Sequence, residues 1–175
     1  ANKEQLLRLA VQLNYQNQRH LSALNKFNEW RDLHLSENSI KKSKLTASQT
    51  SEVYTIAGHS AYQIEQWQQT ASIMKEAIAL DGTEQRYQLL LASYQRLEDF
   101  DKEHALLLKV TELFPSRDIY WSRLAQASVQ HGEKQQAITA LSVVKRLGKL
   151  TEQQRILLAQ LQIGSETPAL AYQTL

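Results

Sequence analysis

Residues 83–150 read TEQRYQLLLASYQRLEDFDKEHALLLKVTELFPSRDIYWSRLAQASVQHGEKQQAITALSVVKRLGKL, and they decide the fold. One pattern occurs in them twice, 34 residues apart: Tyr87 returns as Trp121, Leu90 as Leu124, Leu107 as Leu141 and Val110 as Val144. Aromatic, leucine and small residues at fixed phases of such a period encode a helical hairpin that stacks on copies of itself. In the first copy, helices are expected over 84–96 and 100–114, with Leu97 to Phe100 as the turn and Pro115 as the stop, since proline cannot extend the preceding helix. In the second, helices are expected over 118–130 and 135–147. Ser116 or Asp118 can cap the first of them, and Gly132 and Gly148 end the pair because glycine takes the left-handed conformation freely. Glu103 stands where the second helix of the following copy carries Ala137, so it is expected to bow outward or the hairpin to open slightly there.

The pattern extends in both directions. Upstream, 50–81 carries Tyr54, Ala57 and Gly58 in its first helix, Trp67 at the turn into the second, and Ala77 near the end of the second. A lone glycine inside a helix costs about 1 kcal/mol against alanine, so Gly58 is expected to serve a close crossing of the two helices. Further upstream, helices over 2–13 and 19–35 form a degenerate first repeat. Leu6, Leu9, Ala10 and Leu13 make one stripe; Leu24, Phe27, Trp30 and Leu33 or His34 make the other. Leu7 and Tyr54 share a phase but lie 47 apart, so 13 extra residues sit between them. The polar stretch with Lys41, Lys42 and Lys44 holds that insertion; its lysines read as a solvated face or a contact for an acidic partner. Downstream, Thr151 and Gln154 resemble a capping start, Leu157, Leu158 and Leu161 continue a first helix, and Pro168 begins a partner helix that leaves Leu170 and Leu175 in need of cover. The expected organisation is one domain over 1–175. It comprises a degenerate repeat 1–37, an inserted linker 38–50, repeats 51–83, 84–117 and 118–151, and a partial repeat 152–175. Self-association through the end repeats is a further expectation.

Composition narrows the function. With 5 Gly and 2 Pro, the 175-residue chain has too few turn formers for a many-stranded fold. Its 20 basic and 18 acidic residues leave a net charge of +2, which gives no strong field for nucleic acid. No apolar run approaches the roughly 20 residues of a membrane span. Zero cysteine excludes disulfides and thiolate metal sites. The five histidines, His20, His34, His59, His104 and His131, show no metal-ligand spacing, and no Gly-rich phosphate loop or nucleophile motif is present. Glu98, Asp99 and Asp101 read as ordinary surface. The expectation is a non-enzyme with no cofactor, metal or small-molecule substrate. The first residue is Ala1, so either a signal peptide was removed or the chain was trimmed.

These residues resemble the tetratricopeptide repeat (TPR) pattern over most of the chain. Tyr54 with Gly58, Tyr87 with Leu90 and Tyr94, and Trp121 with Leu124 and Ala125 carry the first-helix signal; Ala77, Val110 with Pro115, and Ala137 with Leu141 carry the second. The resemblance implies an all-α, right-handed superhelix of antiparallel helix pairs, with first helices lining a concave face. A finer likeness runs through Leu113-Phe114-Pro115, Tyr120 to Ala125, Gly132-Glu133-Lys134, Gly148 to Thr151, and Gly164 with Pro168 to Ala171. It is similar to TPR proteins associated with TonB energy-transduction clusters of gamma-proteobacteria. That likeness implies a periplasmic accessory of outer-membrane uptake, with the cytoplasm as the alternative compartment and any membrane contact made through a partner complex.

Counted from the aromatic, the concave positions are Thr55, His59 and Tyr62; then Gln88, Ala92, Gln95 and Arg96; then Ser122, Arg123, Gln126 and Gln130. Amides donate and accept, which suits an extended backbone, and arginines suit carboxylates. The expected ligand is a peptide segment or helix of a partner protein. The competing readings are a helical-repeat domain of a larger enzyme or transport assembly and, against the charge balance, a helical-repeat RNA binder.

Overall fold

The computed structural model describes residues 3–35 and 46–164. Among them there are nine helices and no strand: α1 (Lys3–Gln16), α2 (His20–Leu35), α3 (Ala47–Gln63), α4 (Trp67–Leu80), α5 (Glu84–Arg96), α6 (Phe100–Leu113), α7 (Asp118–Gln130), α8 (Lys134–Arg146) and α9 (Glu152–Ile163). The lysine run 41–44 and the segment 168–175 lie outside the described residues. The chain divides into two compact units, Ala1–Glu98 and Asp99–Leu175.

The hairpins come from their turns. At four connections between a first and a second helix one residue adopts a left-handed φ, at Gln18 (58°), Glu65 (60°), Glu98 (54°) and Gly132 (75°). Each stands eleven residues after the phase marker of its own hairpin: Leu7, Tyr54, Tyr87 and Trp121. At three of these turns the next N–H reaches back over the helix end: Arg19 to the Asn14 carbonyl (2.8 Å), Gln66 to Ala61 (2.9 Å) and Glu133 to Ser128 (2.8 Å). This six-residue closure satisfies carbonyls that the helix end would otherwise leave bare. The insertion therefore lengthens the connection between two hairpins and leaves the hairpins themselves unchanged. α3 begins at Ala47 because Thr46 and Gln49 form a reciprocal capping box, and Thr151 with Gln154 does the same for α9.

In the first unit α1 packs on α2, α2 on α3, α3 on α4 and α4 on α5; α3 also touches the two other first helices, α1 and α5. Its core is aromatic. The Phe27 and Tyr54 rings meet edge-on at 5.0 Å, Trp30 meets Tyr54 at 5.8 Å, and Ile73, Met74 and Leu91 are fully buried. Burying each such side chain contributes about 1.5–3 kcal/mol. Burial, and secondarily the Glu76 carboxylate, pushes the Tyr54 hydroxyl up to about 12. In the second unit Leu107, Val110, Tyr120, Leu124, Leu141, Val144 and Leu158 fill the space between α6, α7, α8 and α9.

Several expectations are corrected here. The buried face of α1 is Glu4, Leu7 and Val11, whereas Leu6, Leu9 and Leu13 are 52–59% exposed. Two apolar stripes share this short helix, and only packing chooses between them. The missing Cβ of Gly58 makes room for the Met74 methyl group; a side-chain tip, and not the partner helix backbone, occupies the space. Glu103 does not bow outward: it accepts a hydrogen bond from Arg123 at 2.6 Å, and its side chain is 13% exposed. The residue preceding α7 is Arg117, and neither Ser116 nor Asp118 supplies a side-chain cap there. Trp121 is only half-buried, with its indole N–H donating to the Pro115 carbonyl (2.8 Å), while its neighbour Tyr120 is the buried aromatic of that helix.

Candidate functional site

The first helices of the first unit form a continuous wall of side chains. The Tyr15 ring of α1 lies 6.5 Å from the His59 ring of α3, and His59 Nε2 lies 3.4 Å from the Gln85 amide of α5. Burial holds the His59 imidazole below its ordinary pKa. One residue further along α5, Arg86 is buried. Its Nε donates to the Thr55 hydroxyl (2.7 Å), and its Nη1 pairs with the Asp81 carboxylate (2.9 Å) and bonds the Asp81 carbonyl. Thr55 in turn donates to the Ser51 carbonyl at 2.7 Å. Thr55 and His59 are thus already engaged within the chain. Gln88, Gln95 and Arg96 are exposed, and Ala92 and Tyr62 are half-buried. Tyr62 sets its ring edge-on to Trp67 at 4.7 Å, and the Arg96 guanidinium lies over the same indole at 5.6 Å.

In the second unit the corresponding wall holds a groove of about 280 Å³ between α7 and α9. Ala125, Val129, Leu141 and Leu157 give it an apolar floor; Ser122, Gln126, Gln130, Gln153 and Gln154 give it an amide-rich rim. The structure thus brings Ser122, Gln126 and Gln130 together in one concavity. Arg123 is not among its lining residues; its guanidinium turns to Glu103. No titratable group lines this groove, so what it offers is shape, apolar surface and hydrogen-bonding amides in preference to charge.

Sequence reasoning missed Gln85, Arg86, Gln153 and Gln154. They precede the aromatic phase of their helices, at positions that the expected set did not sample. Gln85 lies two residues before Tyr87 and meets His59, five after Tyr54. Gln153 lies two residues before the position 34 beyond Trp121 and lines the groove with Gln126, five after Trp121. The same offset appears in both units: the first turn of one first helix faces the middle of the preceding one. A count of which phases face each other across neighbouring first helices would have found these residues.

His104 proves to be a junction residue. Buried on α6, it places Nε2 2.6 Å from the Gln136 amide oxygen of α8 and 3.4 Å from Ser128 of α7, and its ring stacks on His131 at 4.8 Å. Among the described residues, no group of three or more His, Asp or Glu is arranged to hold a metal ion, and no helix is long and apolar enough to cross a membrane.

Hairpins of one phase, turns closed at one position and first helices lined up as a wall define an all-α helical repeat of the TPR type. Solved structures of MamA, a TPR-like helical repeat protein, share this fold. MamA residues 41 to the end from Desulfovibrio magneticus RS-1 matches over 99% of this chain and 92% of its own, with a TM-score of 0.61 at 14% identity. MamA from AMB-1 matches over 98% and 87%, with a TM-score of 0.66 at 14% identity. A further MamA crystal structure aligns with a TM-score of 0.65 at 12% identity, over 98% of this chain and 87% of its own. No protein-family model matches the sequence, and no curated protein does.

Proposed function

We infer that this chain is a non-catalytic protein-interaction scaffold whose first-helix wall holds a peptide segment or helix of a partner protein. The groove between α7 and α9 carries the reading. It pairs an apolar floor with an amide-rich rim, the combination that buries side chains while answering a peptide backbone. Gln88 and Gln95 continue the amide character on the wall of the first unit. The likeness along 113–151 and 164–171 to TonB-cluster TPR proteins supports placing the scaffold in the periplasm, as an accessory of TonB-dependent uptake.

A photo-cross-linking amino acid at Gln126 or Gln88, against the same group at Ser72 or Thr139 on second helices, tests the wall. The expected result is a specific adduct from each wall position and none from the second helices. Equal labelling from both, or none from the wall, overturns the reading. Fractionation of the producing cells tests the compartment: recovery in the cytoplasmic fraction alone removes the periplasmic placement and leaves the wall untouched.

A further inference from the structure

We propose that Arg96, Trp67 and Tyr62 form a receptor for a single carboxylate of the bound partner. The proposal rests on the wall reading above and adds the chemistry of one anchor.

Three side chains of the walls have their donors answered within the chain. Arg86 donates to Thr55 and Asp81, Arg123 to Glu103, and the Trp121 indole to the Pro115 carbonyl. The cluster at the end of α5 differs. Arg96 is exposed and lies over the Trp67 ring at 5.6 Å, while Tyr62 braces that ring edge-on at 4.7 Å. Among the described residues, no acceptor takes a hydrogen bond from the Arg96 guanidinium, the Trp67 indole N–H or the Tyr62 hydroxyl. Glu65 and Glu98, each two residues away in sequence from Trp67 or Arg96, form no ion pair with Arg96.

The Arg96 guanidinium, the Trp67 ring and the Tyr62 ring therefore lie together, and their donors find no acceptor among the described residues. A guanidinium drawn to an indole face is partly restrained there, so less side-chain freedom is lost when it binds. None of its N–H groups is engaged among the described residues, and the guanidinium fork matches the two oxygens of a carboxylate. One guanidinium with two neutral donors balances a monoanion, whereas a phosphate dianion is held by clusters of arginine. The carboxylate can belong to an Asp or Glu side chain or to a chain terminus.

The test uses the whole ¹⁵N-labelled chain and three peptides. The first is acetyl-Ala-Leu-Asp-Leu-Ala-Ala-Gln-Leu-amide, the second has Asn in place of Asp, and the third is the Asn peptide with a free terminal carboxylate. The indole N–H signal of Trp67, assigned with W67F, and the Nε–H signal of Arg96 report the site. The expected result is a saturable shift of both signals by at least one carboxylate peptide, with the neutral amide peptide about tenfold weaker or worse. The carboxylate peptide that binds more tightly names the source. R96Q should weaken that peptide about tenfold, and R96K should recover only part of the loss, because an ammonium neither stacks nor forks. Absence of any shift up to about 5 mM peptide, equal binding of the neutral peptide, or binding unchanged in R96Q overturns the proposal. Shifts at Ser122 and Gln126 with Arg96 and Trp67 silent would leave the wall reading standing and remove this anchor alone.

Discussion

The walls of the two units have the same repeat phase and opposite fates. In the first, the position five residues after the aromatic is His59, and the facing Gln85 closes on it; Arg86 seals the next place by binding Thr55 and Asp81. In the second, the corresponding pair is Gln126 and Gln153. They stand on the rim of an open groove, and the arginine that could have crossed it, Arg123, is drawn away by Glu103. The difference teaches that repeat phase decides which residues can face a ligand, while the internal partners of those residues decide which remain available. The polar positions open to a ligand are those that local hydrogen bonding leaves unused.

The strongest way to break the comparison is to remove the floor of the open groove. Leu141→Ala deletes a fully buried side chain and should destabilise the second unit by about 3 kcal/mol, read as a lower midpoint in urea unfolding. A loss under about 1 kcal/mol would mean that Leu141 is not a packed floor residue. Next comes the seal of the first wall. Arg86→Met should cost about 2 kcal/mol, less than a fully buried pair because Asp81 remains partly in water. It should also free Thr55, so a cross-linker at position 88 should label the partner more strongly; unchanged labelling would show that Arg86 does not gate that wall.

Smaller effects sharpen the contrast. Gln126→Ala should leave stability within about 0.5 kcal/mol and weaken the partner by about fivefold, the value of one or two hydrogen bonds; an equal loss from Gln88→Ala would erase the distinction between the walls. The turns differ too, since the second unit has Gly132 where the first has Gln18, Glu65 and Glu98. Glu98→Gly should stabilise the chain by about 0.5–1 kcal/mol by relieving a left-handed residue, seen as a raised Tm. The last effect is set by pH. Burial lowers the His59 pKa, so the unfolded chain takes up that proton more readily than the folded one. Stability from this residue is present above the ordinary histidine pKa and is lost as pH falls through that value towards the lower folded one. H59Q should flatten urea midpoints between pH 7 and the folded value, and an unchanged slope would assign the acid sensitivity elsewhere.

Much of the fold was legible in the residues. The spacings Tyr87 to Trp121 and Leu107 to Leu141 place the helices of their hairpins, and the bounds of α5 and α7 follow from Glu84, Arg96, Asp118 and Gln130. Gly132 and Gly148 do adopt left-handed φ, as a glycine after a helix end should. Less was legible at the wall. Periodicity says that Thr55, His59 and Arg123 share a phase-defined surface; it does not say that Arg86 reaches across to Thr55, or that Glu103 meets Arg123 from another helix. α1 shows the same limit, because Leu6, Leu9 and Leu13 satisfy a helical period as well as Leu7 and Val11 do.

The amino-acid order alone determined the repeat, its 34-residue period and the turn phase, because helix formation and capping are local and each depends on residues a few places apart. Only the tertiary structure decided which stripe of α1 is buried, which arginines are neutralised and where the groove lies. Those outcomes depend on side chains 20 to 31 residues apart in sequence, such as Arg123 with Glu103 and Arg86 with Thr55. Their meeting is governed by how helices pack, and no period in the chain encodes it.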